Sequence, residues 1–209
     1  MRPFYLLSVV SLLLPQAGAW LLPFVASSDQ VADFGLALRF SLLFGLPFFI
    51  SSRVYIPRIA KAASEGRLGD LEHQIVRAAT AASAVTALGL IGFLFLGNWL
   101  TSLAFGDDFR GSFWPTVVLA VGALVNSASG LSMAVLSNSG EAGLVSKAST
   151  VAGLAFVLGS LGLGSSLGAT GVAIAALASQ LVLNVAMTRK AANLTGIRSW
   201  ISYSRMSYR

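Results

Sequence analysis

The chain has 209 residues, 56% of them hydrophobic and 11% charged, with a mean hydropathy of +0.78. A soluble domain carries about 25% charged residues, so this chain has more apolar surface than a soluble core of its length hides, and its expected solvent is lipid. The net charge of +6 does not point to nucleic acid, because the basic residues stand at the ends of apolar runs and not in an aromatic-interleaved patch; the lack of cysteine excludes disulfides, thiol catalysis and thiolate metal sites.

A helix that crosses the hydrocarbon core needs about 20 mostly apolar residues. Six runs qualify, at roughly 4–26, 36–57, 78–97, 115–136, 146–164 and 168–188. The expected fold is therefore an all-α integral membrane protein with a six-span lobe over 1–190 and a basic, aromatic tail over 191–209. Met1 to Ala19 has the shape of a signal peptide. Its apolar run nevertheless continues through Trp20, Leu21, Leu22, Phe24 and Val25, which favours a retained first span.

The connectors separate by charge. Residues 27–35 hold Asp29 and Asp33 and no basic residue; residues 98–114 hold Asp107 and Asp108 against Arg110 alone; the connector near 165–168 is uncharged. The opposite set comprises Arg2, the stretch from Arg53 to Arg77, Lys147, and Arg189, Lys190, Arg198, Arg205 and Arg209. Positive charge favours cytoplasmic loops, so both termini are expected on the cytoplasmic side. Trp200, Tyr203 and Tyr208 among the tail arginines suit a membrane-surface anchor.

The stretch Arg53–Arg77 is the one long polar interruption. It reads as two helical pieces broken near Gly66 to Gly69. Leu68, Leu71 and Ile75 recur at helical spacing, so one face is expected on the lipid interface or on a neighbouring span. His73, the single histidine, lacks the spaced partners that a metal site needs. No metal, cofactor or catalytic residue is expected: the chain has no phosphate-binding glycine loop followed by Lys-Ser or Lys-Thr, no His-Glu-x-x-His motif and no second histidine. Asp107-Asp108 reads as a solvated turn.

The polar residues inside the spans carry what function the sequence offers. Gly122, Asn126 and Gly130 stand four apart, where small residues let helices approach closely and an amide can hydrogen-bond across the contact. Gln180 and Asn184 repeat this i, i+4 pairing in the last span. Helix glue is the plainer reading for Asn126, Gln180 and Asn184, and cavity lining is the alternative. Arg39 lies about one turn into the second span and Arg53 near its other end. Arginine inside a bilayer is costly, so it snorkels, pairs or faces water. Snorkelling to headgroups, or pairing of Arg39 with Asp33, competes with a functional reading in which both guanidinium forks face a cavity and hold phosphate oxygens. The two arginines are fourteen residues apart, about four helical turns, and so share roughly one face.

Several short motifs, in order, resemble the second half of polysaccharide flippases, the Wzx-like O-antigen and teichoic-acid exporters of the MATE-related (MOP) superfamily. These are Gln16-Ala17, with Gly18 where the family often has aspartate; Val31 to Arg39, which is similar to the family's entry into its next span; and Pro57-Arg58-Ile59-Ala60, a helix-ending motif. Phe105 to Phe109 resembles a Phe-Gly-x-x-Phe loop, Leu136 to Glu141 a Leu-x-x-x-Gly-Glu turn, and Gly168 to Ala173 a Gly-x-x-Gly-x-Ala span start.

The resemblance implies two six-helix lobes around a cavity, which by alternating access move a lipid-linked saccharide across the bacterial cytoplasmic membrane. This chain matches the second lobe alone. A preceding lobe or a second copy is the implied partner, beside the substrate and membrane lipids. Arg39 and Arg53 are then candidate phosphate-binding residues, and Gln16, Asn126, Gln180 and Asn184 candidate cavity or packing groups. Two alternatives share the fold class: half of a MATE-like small-molecule efflux protein, and a non-transporting scaffold for a polysaccharide assembly complex. Efflux of cations would favour intramembrane carboxylates, and the six runs contain none.

Overall fold

A computed structural model describes residues 18–197 and 199–201, and the described chain is helical without a strand. A chain surrounded by hydrocarbon must satisfy its backbone N–H and C=O groups internally, and the helix does this within one segment. Residues 18–21 are helical. Then come α1 (Ser28–Ser64), α2 (Glu72–Phe105), α3 (Phe113–Ser129), the short α4 (Ser132–Leu136) and α5 (Ala142–Thr195). Four stretches, Ser28–Ser64, Leu68–Phe105, Asp107–Ser129 and Ser132–Thr195, are long and apolar enough to cross a membrane. Less than half of each apolar window is buried inside the protein. Phe24 and Phe95 are each 83% exposed. Large apolar side chains directed outward along helices of this length suit a multi-pass membrane protein.

The helices run past the apolar segments that the sequence marks. α1 begins eight residues before the run at 36–57, because nothing in Ser28 to Gly35 stops a helix. It ends where Gly66 takes a left-handed φ of 68°. The polar stretch is thus shared by the end of α1, a 3-10 turn over Leu68–Leu71 and the start of α2. Leu68, Leu71 and Ile75 pack on Ile59, Leu131, Val135 and Ile197, so their face meets neighbouring elements of the protein.

Two glycines redraw the expected spans. The run at 115–136 is broken at Gly130 (φ 62°, ψ −146°), so Gly130 ends α3 and does not continue the packing face begun by Gly122 and Asn126. A Cβ there would collide with the Ser199 carbonyl. Gly168 (φ 56°, ψ −135°) interrupts α5 in a conformation closed to other residues. The two arms, 142–167 and 169–195, fold back on each other, with Gly159 against Ala175 and Gly164 against Val172. These arms hold the expected runs 146–164 and 168–188. Of the first run, 4–26, only residues from Gly18 onward lie among the described residues.

α3 is the central helix, packed against α1, α2 and α5. Phe93 joins three helices: its ring lies 5.5 Å from Phe40, 5.8 Å from Phe44 and 5.6 Å from Phe113, centroid to centroid. Pro47 lacks the N–H that would continue the helical ladder of α1. One residue beyond the carbonyl that Pro47 leaves without its helical donor, the Thr86 hydroxyl of α2 donates to the Phe44 carbonyl at 3.1 Å, a hydrogen bond that joins the two helices.

Candidate functional site

The connectors collect at two ends. At the first, the Asp33 carboxylate lies against Gly111, and the Gln30 amide against Gly168. The start of α1, the 107–112 turn and the α5 hairpin therefore meet there. This end carries Asp29, Asp33, Asp107 and Asp108, and its cation Arg110 is paired with Asp107 at 2.9 Å. The Ser102 hydroxyl, and then the Arg110 guanidinium, hold the Asp107 carboxyl below the usual carboxylate range. At the second end, Ile59, Ile75, Leu131, Val135 and Ile197 form an apolar cluster beneath the 65–71 turn. The chain after α5 docks here too: the Ser132 and Ser199 hydroxyls are 2.6 Å apart, and the Ile201 N–H donates to the Ala128 carbonyl at 3.1 Å. The helical bundle thus extends beyond 190, because α5 runs to Thr195 before Gly196 ends it in a left-handed turn. The expected tail residues 202–209 and Arg198 lie outside the described residues.

Arg39 and Arg53 both stand on the exposed face of α1. Leu42, Leu43, Leu46, Phe49 and Ile50 fill the face between them, so two cations bracket an apolar stripe about 21 Å long at 1.5 Å per residue. Among the described residues no ion pair joins Arg39 to Asp33. The Asp33 carboxylate lies instead against Gly111 in the 107–112 turn.

The amides gather elsewhere, along the contact of α3 with the second arm of α5. The Gln180 side chain lies over Gly122, within 2.7 Å of where a Cβ would stand. Further along, Val125 and Ser129 line a shallow cavity together with Thr188 and Arg189. By helical register Asn126 and Asn184 fall between these levels. Asn184 is buried and its Nδ2 has no partner among the described residues; the same holds for the buried Ser127 hydroxyl. Gln16 lies outside the described residues. The structure therefore separates the arginines from the amides. His73 is exposed on α2.

A concavity of about 970 Å³ was not read from the sequence. It is an open groove between the two arms of α5, with an apolar lining and Glu141, Lys147 and Lys190 at one end. Its sequence signal is a lysine at the same end of two apolar runs that a glycine turn joins. Taken as topology markers alone, Lys147 and Lys190 hide that signal.

Fold and site together define a class: an all-α bundle of membrane-length apolar helices with a charge difference between its ends. No protein family matches the chain, and no curated protein or solved structure matches it.

Proposed function

We propose that this chain is the C-terminal lobe of a flippase that moves a lipid-linked saccharide across the bacterial cytoplasmic membrane. In this reading the α5 hairpin supplies the fifth and sixth of six crossings, and the end with Arg58, Lys61, Arg67 and Lys147 faces the cytoplasm. A second lobe, or a second copy, completes the cavity around which the lobes rock.

The observation that carries the reading is the placement of Arg39 and Arg53 on one exposed face of one helix, at two depths. Guanidinium stays charged and grips phosphate oxygens with a planar fork. Two such groups along one face offer successive holds to a phosphate or pyrophosphate as access alternates. The resemblance of the short motifs to polysaccharide flippases supports the same assignment.

The test is Arg39→Ala and Arg39→Lys in cells where the chain acts with its completing lobe. Loss of surface polysaccharide at normal protein level, with less loss in the lysine variant, supports phosphate contact. Unchanged export in both removes Arg39 from the substrate path.

One observation favours a second reading, the non-transporting scaffold. The stripe between the arginines is wholly apolar, which also suits two side chains that snorkel to opposite headgroup layers. Under that reading Arg53→Ala and Arg39→Ala lower membrane retention together and leave saccharide contact untouched. Photo-crosslinking to a polyprenyl diphosphosaccharide separates the two.

A further inference from the structure

We infer that the groove between the arms of α5 is a binding site for an anionic phospholipid of the surrounding membrane. The headgroup phosphate lies between Lys147 and Lys190, and an acyl chain runs along the arms. This inference does not depend on transport; it needs only that the chain lies in a bilayer.

The groove has the polarity of an amphiphile. One end carries all of its charge, Lys147 and Lys190 against Glu141, a net of one positive charge at neutral pH. Its remaining length, past Val151 and Ala155 to Leu163 on one arm and past Val182 to Ala175 on the other, offers only Ser179 and backbone as polar surface. From Lys147 to Leu163 the first arm rises about 24 Å at 1.5 Å per residue. The groove therefore extends deep into a hydrocarbon core about 30 Å thick. Both lysines are exposed, and among the described residues neither is ion-paired. Basic pockets between membrane helices take anionic headgroups for this reason. Ser179 is the one side chain along the apolar length that could hydrogen-bond a sugar, so the groove suits a lipid better than the saccharide part of a transported substrate.

Glu141 gives a way to distinguish the two headgroup classes. Beside a phosphate it repels, so the neutral variant Glu141→Gln tightens binding of a lipid with net negative charge. A zwitterionic lipid that placed its ammonium on Glu141 would lose a partner and bind more weakly.

The experiment is native mass spectrometry of the purified full chain. It is released from nanodiscs that contain phosphatidylglycerol and phosphatidylethanolamine with the same acyl chains. The expected result is preferential retention of one phosphatidylglycerol. Lys147→Ala with Lys190→Ala weakens retention about thirtyfold, at about 1 kcal/mol for each lysine near an anionic headgroup. Ala155→Phe, at an exposed position on the groove wall, removes retention without a change of charge. Three results overturn the inference: equal retention of the two lipids, retention unchanged by the double lysine variant, or a second copy of the chain that occupies the groove and excludes lipid. Export of polysaccharide is read separately, so loss of lipid binding with export intact leaves the flippase reading standing.

Discussion

The two ends of the helical bundle are closed by different means. At the acidic end, polar side chains reach into backbone turns: Gln30 packs against Gly168, and Asp33 against Gly111, with one carboxylate oxygen left buried and unpartnered. At the basic end an apolar cluster lies beneath the 65–71 turn, the Ser132–Ser199 hydroxyl contact and the Ile201 N–H bond to Ala128 tie the chain after α5 beside it, and the charges stay outside in exposed pairs such as Arg67 with Asp70. Buried polar closure is directional and demands a defined turn, whereas apolar closure tolerates shifts as long as volume is kept. The tightest connection, the break at Gly168, accordingly lies at the acidic end. The difference also frees the basic residues of structural duty, so that they remain available to set orientation.

The comparison breaks most visibly if the ends do not lie on opposite sides of a membrane. The chain has no cysteine, so an introduced one is unique. Ser64→Cys at the basic end and Ser165→Cys at the acidic end are both at exposed positions. An impermeant maleimide applied to intact cells is expected to label Ser165→Cys alone, and Ser64→Cys only after the membrane is opened. Labelling of both in intact cells, or the reverse pattern, overturns the assignment.

The next largest effect concerns the two broken helices. Gly130→Ala and Gly168→Ala each force a side chain into a glycine-only conformation and into contact with Ser199 or Gln30. Strain and overpacking together are expected to cost about 3 kcal/mol or more at each position, read as loss of folded protein in a thermal scan in detergent. Gly66→Ala, left-handed but in open space, is expected to cost about 1 kcal/mol. If Gly168→Ala is tolerated because Gln30 swings away, the acidic end is looser than its packing indicates.

Much of this architecture was legible in the sequence because lipid-facing helices must be apolar, and an apolar run of sufficient length leaves few alternatives. The charge of each connector likewise foretold which connectors meet at the same end. Hydropathy marks where a helix is dry, not where its hydrogen bonding stops, and so α1 and α2 run beyond their expected spans. Gly130 was misread because spacing alone does not separate a glycine that packs inside a helix from one that ends it. Gly122 of the same series does take a neighbouring side chain, that of Gln180. The candidate site was legible residue by residue but not as an assembly. Arg39 and Arg53 follow from one helix's phase, whereas the groove depends on how two arms of α5 lie together, a long-range fact that no local pattern contains.

Smaller changes sharpen the contrast between side chains that close backbone gaps and those that decorate the surface. Thr86→Val keeps the shape of a buried side chain but removes the hydroxyl that serves the Phe44 carbonyl beside Pro47. The expected cost is about 1 kcal/mol, the usual net worth of such a bond, and it appears as a lowered melting temperature. Asp70→Asn at the basic end cuts an ion pair of 3.0 Å between side chains that are more than half exposed. Exposed pairs of this kind contribute about 0 to 1 kcal/mol and weaken further in salt. The melting temperature should therefore stay nearly unchanged, and any small drop should vanish in high salt. A salt-resistant loss comparable to that of Thr86→Val would mean that Arg67 and Asp70 hold the 65–71 turn in place. The basic end would then be closed by polar contacts much as the acidic end is, and its apolar cluster would not be sufficient.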